Sequence, residues 1–141
     1  MNQQALLLSV APEFAEQIAA GSKTVELRRR FAKVPTGTWI YFYVTLPVGA
    51  VTGRAKVVDI DIDAPSALWA RHHLDVGLSQ ARFRAYFSDC ETGCAVSISD
   101  YEPIEPISLS ELRSLADGFA VPQSYRFLNE DLEDSLVRGQ R

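Results

Sequence analysis

The sequence predicts an α+β fold, a small mixed β-barrel flanked by short helices, from how its strand-like and helix-like stretches are arranged. Strand-sized apolar runs, Ala5 to Val10 and Trp39 to Val44, share the chain with segments of helical spacing, Ser66 to His72 and Ser79 to Phe87. Turn chemistry at Pro35-Thr36-Gly37 and Leu46-Pro47-Val48-Gly49 separates the strands. No repeat, linker or low-complexity tract divides the series. One domain is therefore expected over residues 1–141, with a core from about 5 to 128 and a C-terminal tail over 129–141.

Each element follows from local chemistry. After the apolar run to Val10, Pro12 stands where a first helical turn tolerates proline. Phe14, Ile18 and Ala19 then recur at helical spacing, and Gly21 supplies the stop. From Thr24 to Phe31 the chain alternates: Val25, Leu27 and Phe31 share one parity, and Thr24, Glu26, Arg28 and Arg30 the other, as in a half-buried strand with a charged outer face. In Trp39 to Thr45, Ile40, Phe42 and Val44 face one way, and Trp39, Tyr41 and Tyr43 the other. A long strand from about Ala50 to Ile62 switches its inward parity from Val51, Ala55 and Val57 to Val58, Ile60 and Ile62, which requires a bulge, with Gly53 as a helper. Phe83 and Phe87 mark the apolar stripe of the second helix after Pro65. Gly93 to Tyr101 reads as a strand that Pro103 and Pro106 punctuate. Ser108-Leu109-Ser110-Glu111 has capping-box spacing, and a last helix is expected over Pro122 to Leu128.

Composition excludes several classes. At 47% hydrophobic and 23% charged residues, the chain fits neither a disordered nor a fibrous protein. Its apolar runs fall far short of the roughly 20 residues that span a bilayer, so no membrane association is expected. The start, Met1-Asn2-Gln3-Gln4, lacks a secretory leader, which makes the cytoplasm the expected compartment. Cys90 and Cys94 are too few for a disulfide scaffold or a zinc set and are read as reduced thiols. The net charge of -4 is unevenly spread. Residues 1–60 carry seven Lys/Arg against four acids, and the remainder seven Arg against fourteen acids. A locally positive face on an acidic body suits steering of an anionic ligand and does not suit wrapping of duplex DNA.

Gly21-Ser22-Lys23-Thr24-Val25-Glu26-Leu27-Arg28 is the most informative segment. Glu26 and Arg28 share one strand face about 7 Å apart, and Lys23 at the preceding turn can swing onto the same side. Lysine offers a mobile charge for phosphate, arginine a planar fork, and glutamate an acceptor for an amino or imino hydrogen. A nucleotide presents all three complements. An exposed Glu26–Arg28 ion pair with Lys23 in solvent fits the same spacing.

The segment resembles the G-x-K-x-x-E-x-R signature of ASCH domains, in the PUA-like superfamily, with Gly21, Lys23, Glu26 and Arg28 at its four positions. Leu7 to Val10 with Pro12 and Phe14, Tyr43 to Val51, and Pro122-Gln123-Ser124-Tyr125-Arg126-Phe127-Leu128 resemble other family segments in the right order; the last is similar to the close of ASCH proteins predicted to be transcriptional regulators. The resemblance implies a PUA-like barrel whose cleft holds RNA or a nucleotide-like small molecule, with Lys23, Glu26 and Arg28 in the cleft and Tyr43, Gln123 and Ser124 as neighbours. No cofactor is implied, and oligomeric state is left open. Some family members are amidohydrolases of acetylated cytidine-type nucleosides, and others resemble nucleases. In the amidohydrolases a threonine nucleophile stands where this chain has Glu26, and Thr24 lies two residues too early. If the chain is an enzyme, Lys23 and Glu26 are its expected catalytic pair, with Glu26 as general base and Lys23 stabilising an oxyanion. A protein-interaction module with an incidental cleft is the remaining alternative.

Other clusters carry less. Asp59, Asp61 and Asp63 share a strand face that could gather a hard cation, but a solvated acidic face explains them as well, and no metal site is assigned. His72 and His73 are adjacent and diverge on a helix. Arg29 falls among apolar neighbours and must snorkel. Of Trp39, Tyr41 and Tyr43, which could stack bases, at least two are expected in the core.

Overall fold

A computed structural model describes residues 4–138. Its elements run β1 (Leu6–Val10), α1 (Pro12–Ala20), β2 (Val25–Arg28), β3 (Trp39–Val44), β4 (Ala50–Asp63), α2 (Pro65–His72), α3 (Gln80–Tyr86), β5 (Gly93–Ser108), α4 (Leu109–Leu115), β6 (Tyr125–Phe127) and α5 (Glu130–Arg138). The strands form one mixed sheet in the order β2-β5-β4-β3-β1-β6, a half-barrel, so the expected α+β architecture holds. Only β1 and β3 run parallel, joined through α1 and β2, while every other pairing is antiparallel.

Alternation along the strands divides the interior. Leu6, Leu8 and Val10 of β1 join Ile40, Phe42 and Val44 of β3 and Ile18 of α1 in one cluster. Leu7, Tyr41 and Tyr43 take the opposite face and pack with Leu112 of α4 and with Leu132 and Leu136 of α5. A third cluster sets Val25 and Leu27 of β2 against Leu68, Phe83 and Phe87 of α2 and α3. The parity read in β3 is thus the parity observed. Gly21 caps α1 in the left-handed conformation, and Ser108 and Glu111 form the complete capping box of α4. Among the described residues, no helix is long and apolar enough to cross a membrane.

Three segments depart from the sequence reading. The strand expected to stop at Tyr101 runs on through Pro103 and Pro106 to Ser108. Beyond Ser97, β5 pairs with β4 alone, because β2 covers only Cys94 to Ser97; the prolines therefore lie on a free edge that asks for no ladder donor. The helix expected over Pro122 to Leu128 is instead β6, too short to show a period, whose residues take their conformation from pairing with Leu6 to Leu8. Of the tail expected over 129–141, residues 130–138 form α5, and 139–141 lie outside the described residues. The parity switch in β4 is confirmed by register shifts at Val51/Gly53, Arg54/Lys56 and Val57/Asp59, yet it brings only Ile60 against the core and leaves Val58 and Ile62 about half exposed.

A candidate nucleic-acid site at the mouth of the half-barrel

Where the chain leaves α1 and enters β2, a carboxylate sits between two cations. Gly21 turns the chain, so Lys23 arrives beside the start of β2 with Glu26 and Arg28 on the strand face opposite Val25 and Leu27. That face is not the charged outer surface that alternation suggested. It is the sheltered mouth of the half-barrel, where Lys23 is 2% exposed and Glu26 5%. Arg28 Nε and Nη2 both donate to Glu26 Oε2, at 3.0 and 2.6 Å. Lys23 Nζ stands 3.4 Å from Glu26 Oε1 and donates to the Val76 carbonyl at 2.5 Å. The exposed ion pair allowed by spacing is thereby excluded.

Arg28 also ties the two ends of the sheet. From β2 it donates through Nη2 to the Ser9 carbonyl at 2.6 Å and through Nη1 to Ser124 Oγ at 3.3 Å. Tyr43, Ser9 and Ser124 stand side by side on three neighbouring segments, since Ser9 pairs with Tyr43 and its N–H donates to the Ser124 carbonyl. Ser124 is therefore brought to the cluster. The Tyr43 side chain, 3% exposed, packs with the α4 and α5 cluster, and exposed Gln123 is absent from the cavity wall.

Above the three charged groups lies a cavity of about 540 Å³. α1 contributes Phe14 and α3 contributes Arg82, Ala85 and Tyr86; Lys23, Glu26, Leu27 and Arg28 line it from β2 and the turn before it. Lys23 Nζ lies 4.9 Å from the centre of the Phe14 ring. Burial is the main cause that pushes the Lys23 ammonium below its ordinary value of 10.5, against the opposing pull of Glu26. The cavity thus joins aromatic walls to a floor of one carboxylate and two cations, which suits a planar base attached to an anionic backbone.

The loop before α3 fixes Lys23. The Val76 carbonyl accepts its hydrogen bond, and Gly77 follows at φ +73°, where a Cβ would stand 2.1 Å from Gln17 Oε1 and 3.3 Å from Lys23 Cδ. Gly77→Ala is expected to lower stability by about 1–3 kcal/mol, from strain and displacement of Gln17 together, as measured by urea unfolding.

Other clusters have protein partners. Asp61 and Asp63 pair with Arg71, and Asp61 also meets His72 Nε2 at 2.7 Å. Tyr41 and Tyr43 are buried as expected, and Trp39 lies beneath the Arg54 guanidinium at 3.8 Å. Arg29 snorkels to stack on Tyr86 at 4.2 Å. Cys94 is buried, which pushes its thiol up, and Cys90 and Cys94 are both free. Thr24 is exposed and absent from the cavity wall. Sequence reasoning missed Phe14, Arg82 and Tyr86 as wall residues; the helical spacing of Phe14 identified it as core, and nothing local ties α3 to β2.

Comparison with known proteins finds relatives over nearly the whole chain. The model of the ASCH domain matches residues 8–111. An ASCH domain-containing ribonuclease from Zymomonas mobilis is 35% identical over 136 residues, covering 96% of this chain and 92% of that protein. The crystal structure of ASCH from Zymomonas mobilis superposes with a TM-score of 0.93 at 34% identity, covering 97% of this chain and 96% of that one. A tyrosine-to-phenylalanine variant and a serine-to-alanine variant of the Zymomonas mobilis protein superpose with TM-scores of 0.91 and 0.92, at 34% identity and with at least 95% of each chain covered.

Proposed function

Because the chain belongs to the ASCH domain family, we propose that it binds single-stranded RNA at the mouth of its half-barrel and cleaves it there. The observation that carries this reading is the buried Lys23–Glu26–Arg28 cluster flooring an open cavity with aromatic walls. The ribonuclease name of a relative matched over nearly the whole chain supports the cleavage step. The two variants solved in Zymomonas mobilis replace a tyrosine and a serine separated in that chain as Tyr43 and Ser124 are in this one, which supports Ser124, bonded to Arg28, as part of the site.

The chemistry follows from how Glu26 is shared. Both Arg28 bonds fall on Oε2, leaving Oε1 with the longer contact to Lys23. Oε1 takes the proton of a ribose 2′-hydroxyl as the 2′-oxygen bonds to phosphorus. Lys23 gives a proton to the 5′-oxygen as its bond to phosphorus breaks, and Arg28 offsets the charge on the phosphoryl oxygens. Protonated Glu26 then returns its proton to Lys23 across 3.4 Å. The chain would work on cytoplasmic RNA. A role in transcriptional regulation, suggested by the likeness of Pro122 to Leu128 to regulators, would use the same binding step without cleavage.

End-labelled RNA of about ten nucleotides tests the proposal against DNA of the same sequence. The expected result is binding of both and cleavage of RNA alone, leaving 2′,3′-cyclic phosphate ends. Glu26→Gln is expected to keep measurable binding and to slow cleavage by about 10²-fold or more. Failure of purified, folded protein to bind or cut either strand would reject the reading.

A further inference from the structure

Lys23, Arg28 and Arg82 are the basic side chains of the cavity wall, and they are held in different ways. Lys23 is buried, Arg28 is largely covered, and both share buried Glu26, so drawing either away strands a charge in a poorly solvated place. Arg82 is about half exposed and reaches from α3 to Glu13 on α1, with Nη2 2.7 Å from Oε1 and Nη1 3.2 Å from Oε2. Its guanidinium also lies 5.3 Å from the centre of the Phe14 ring. The clasp joins the two helices that wall the cavity, and both partners are near solvent, where such pairs contribute little to the fold.

On this geometry, and resting on the RNA reading above, we propose that Arg82 is the cavity's exchangeable phosphate contact and that Glu13 holds its place in the free protein. A carboxylate offers the guanidinium fork two oxygens, and so does a phosphodiester through its two non-bridging oxygens. RNA entering between α1 and α3 therefore exchanges one two-point contact for another, while the buried pairs beneath stay intact. Phe14, with Lys23 and Arg82 both near its ring, fixes where the neighbouring base stacks. Glu13 acts as a built-in competitor: it offsets the Arg82 charge until a phosphodiester takes its place. α1 stays anchored without the clasp through Ile18, which lies in the core beneath β1 and β3.

The test measures affinity for a fluorescein-labelled, 2′-O-methylated oligouridylate of about ten nucleotides, which cannot be cleaved, over a series of salt concentrations. Glu13→Gln is expected to bind roughly two- to fivefold tighter, because the competitor is gone. Arg82→Gln is expected to bind about tenfold more weakly, with a salt dependence shallower by one phosphate contact. Thermal unfolding of both variants should match the parent. If Glu13→Gln weakens binding as Arg82→Gln does, the pair is a structural clasp and the proposal is overturned. It is also overturned if neither variant moves the affinity while Arg28→Gln abolishes it, an outcome that leaves the RNA reading standing. Loss of the RNA reading is a different result: parent protein that does not bind the oligonucleotide.

Discussion

Glu26→Ala is expected to lower stability by about 3–5 kcal/mol, because it leaves Lys23 and Arg28 facing one another in a desolvated mouth with their shared counter-charge removed. The protein tolerates two cations at this depth because one carboxylate serves both, and because the Val76 and Ser9 carbonyls and Ser124 Oγ accept further hydrogen bonds. Glu26→Gln should lose less, since the amide oxygen still accepts from Arg28. Urea unfolding of the two variants separates charge from shape. Equal, small losses below about 1 kcal/mol would mean that water reaches these groups and that the cavity is not a low-dielectric place.

The second large effect is on activity as pH rises. Burial depresses the Lys23 pKa, so its ammonium is lost at a lower pH than the ordinary 10.5. In the proposed reaction Lys23 is both the proton donor and a local positive charge, so cleavage should fall on the alkaline side before an ordinary lysine would titrate. Stability should move the other way. A depressed pKa in the folded state means that the unfolded chain holds the proton more tightly, so this group's contribution rises as pH climbs through the interval below 10.5 and is lost again as pH falls through the folded value. Lys23→Met is expected to reduce cleavage by about 10²-fold or more and to remove both alkaline trends. Rate profiles and unfolding curves across the alkaline range check this. An alkaline fall in rate that persists in Lys23→Met would assign it to another group.

Much of this site was legible before the fold was known, because its parts lie within eight residues. The parity that places Glu26 with Arg28 is a property of any strand, and Gly21 announces where that strand begins. Depth was legible only through the family likeness, which set these residues in a cleft; alternation alone did not show it. The outer face of an amphipathic strand looks the same in sequence whether it meets water or, as here, the far edge of its own curved sheet, and only Arg28 bonding to Ser9 and Ser124 tells the two apart. Arg82 was invisible for a related reason: it stands 69 positions from Glu13, and only packing of α3 beside α1 makes them neighbours.

The same distinction holds for the fold. β3 was readable because alternation over six residues reports two buried faces. β6, at three residues, takes its conformation from β1, and α5 shows only Leu132 and Leu136 one turn apart as a sign of the face it buries. The prolines of β5 misled because proline reads as a terminator unless the strand is known to lie on an edge there.

On the proposed function, RNA lies in the cavity between α1 and α3. Ultraviolet cross-linking of a 4-thiouridine-substituted oligonucleotide, followed by mass spectrometry of the joined peptides, tests it most directly. Cross-links are expected on Phe14 and Tyr86, the two rings that wall the cavity. Adducts confined to Trp39, on the far face beneath Arg54, would contradict it.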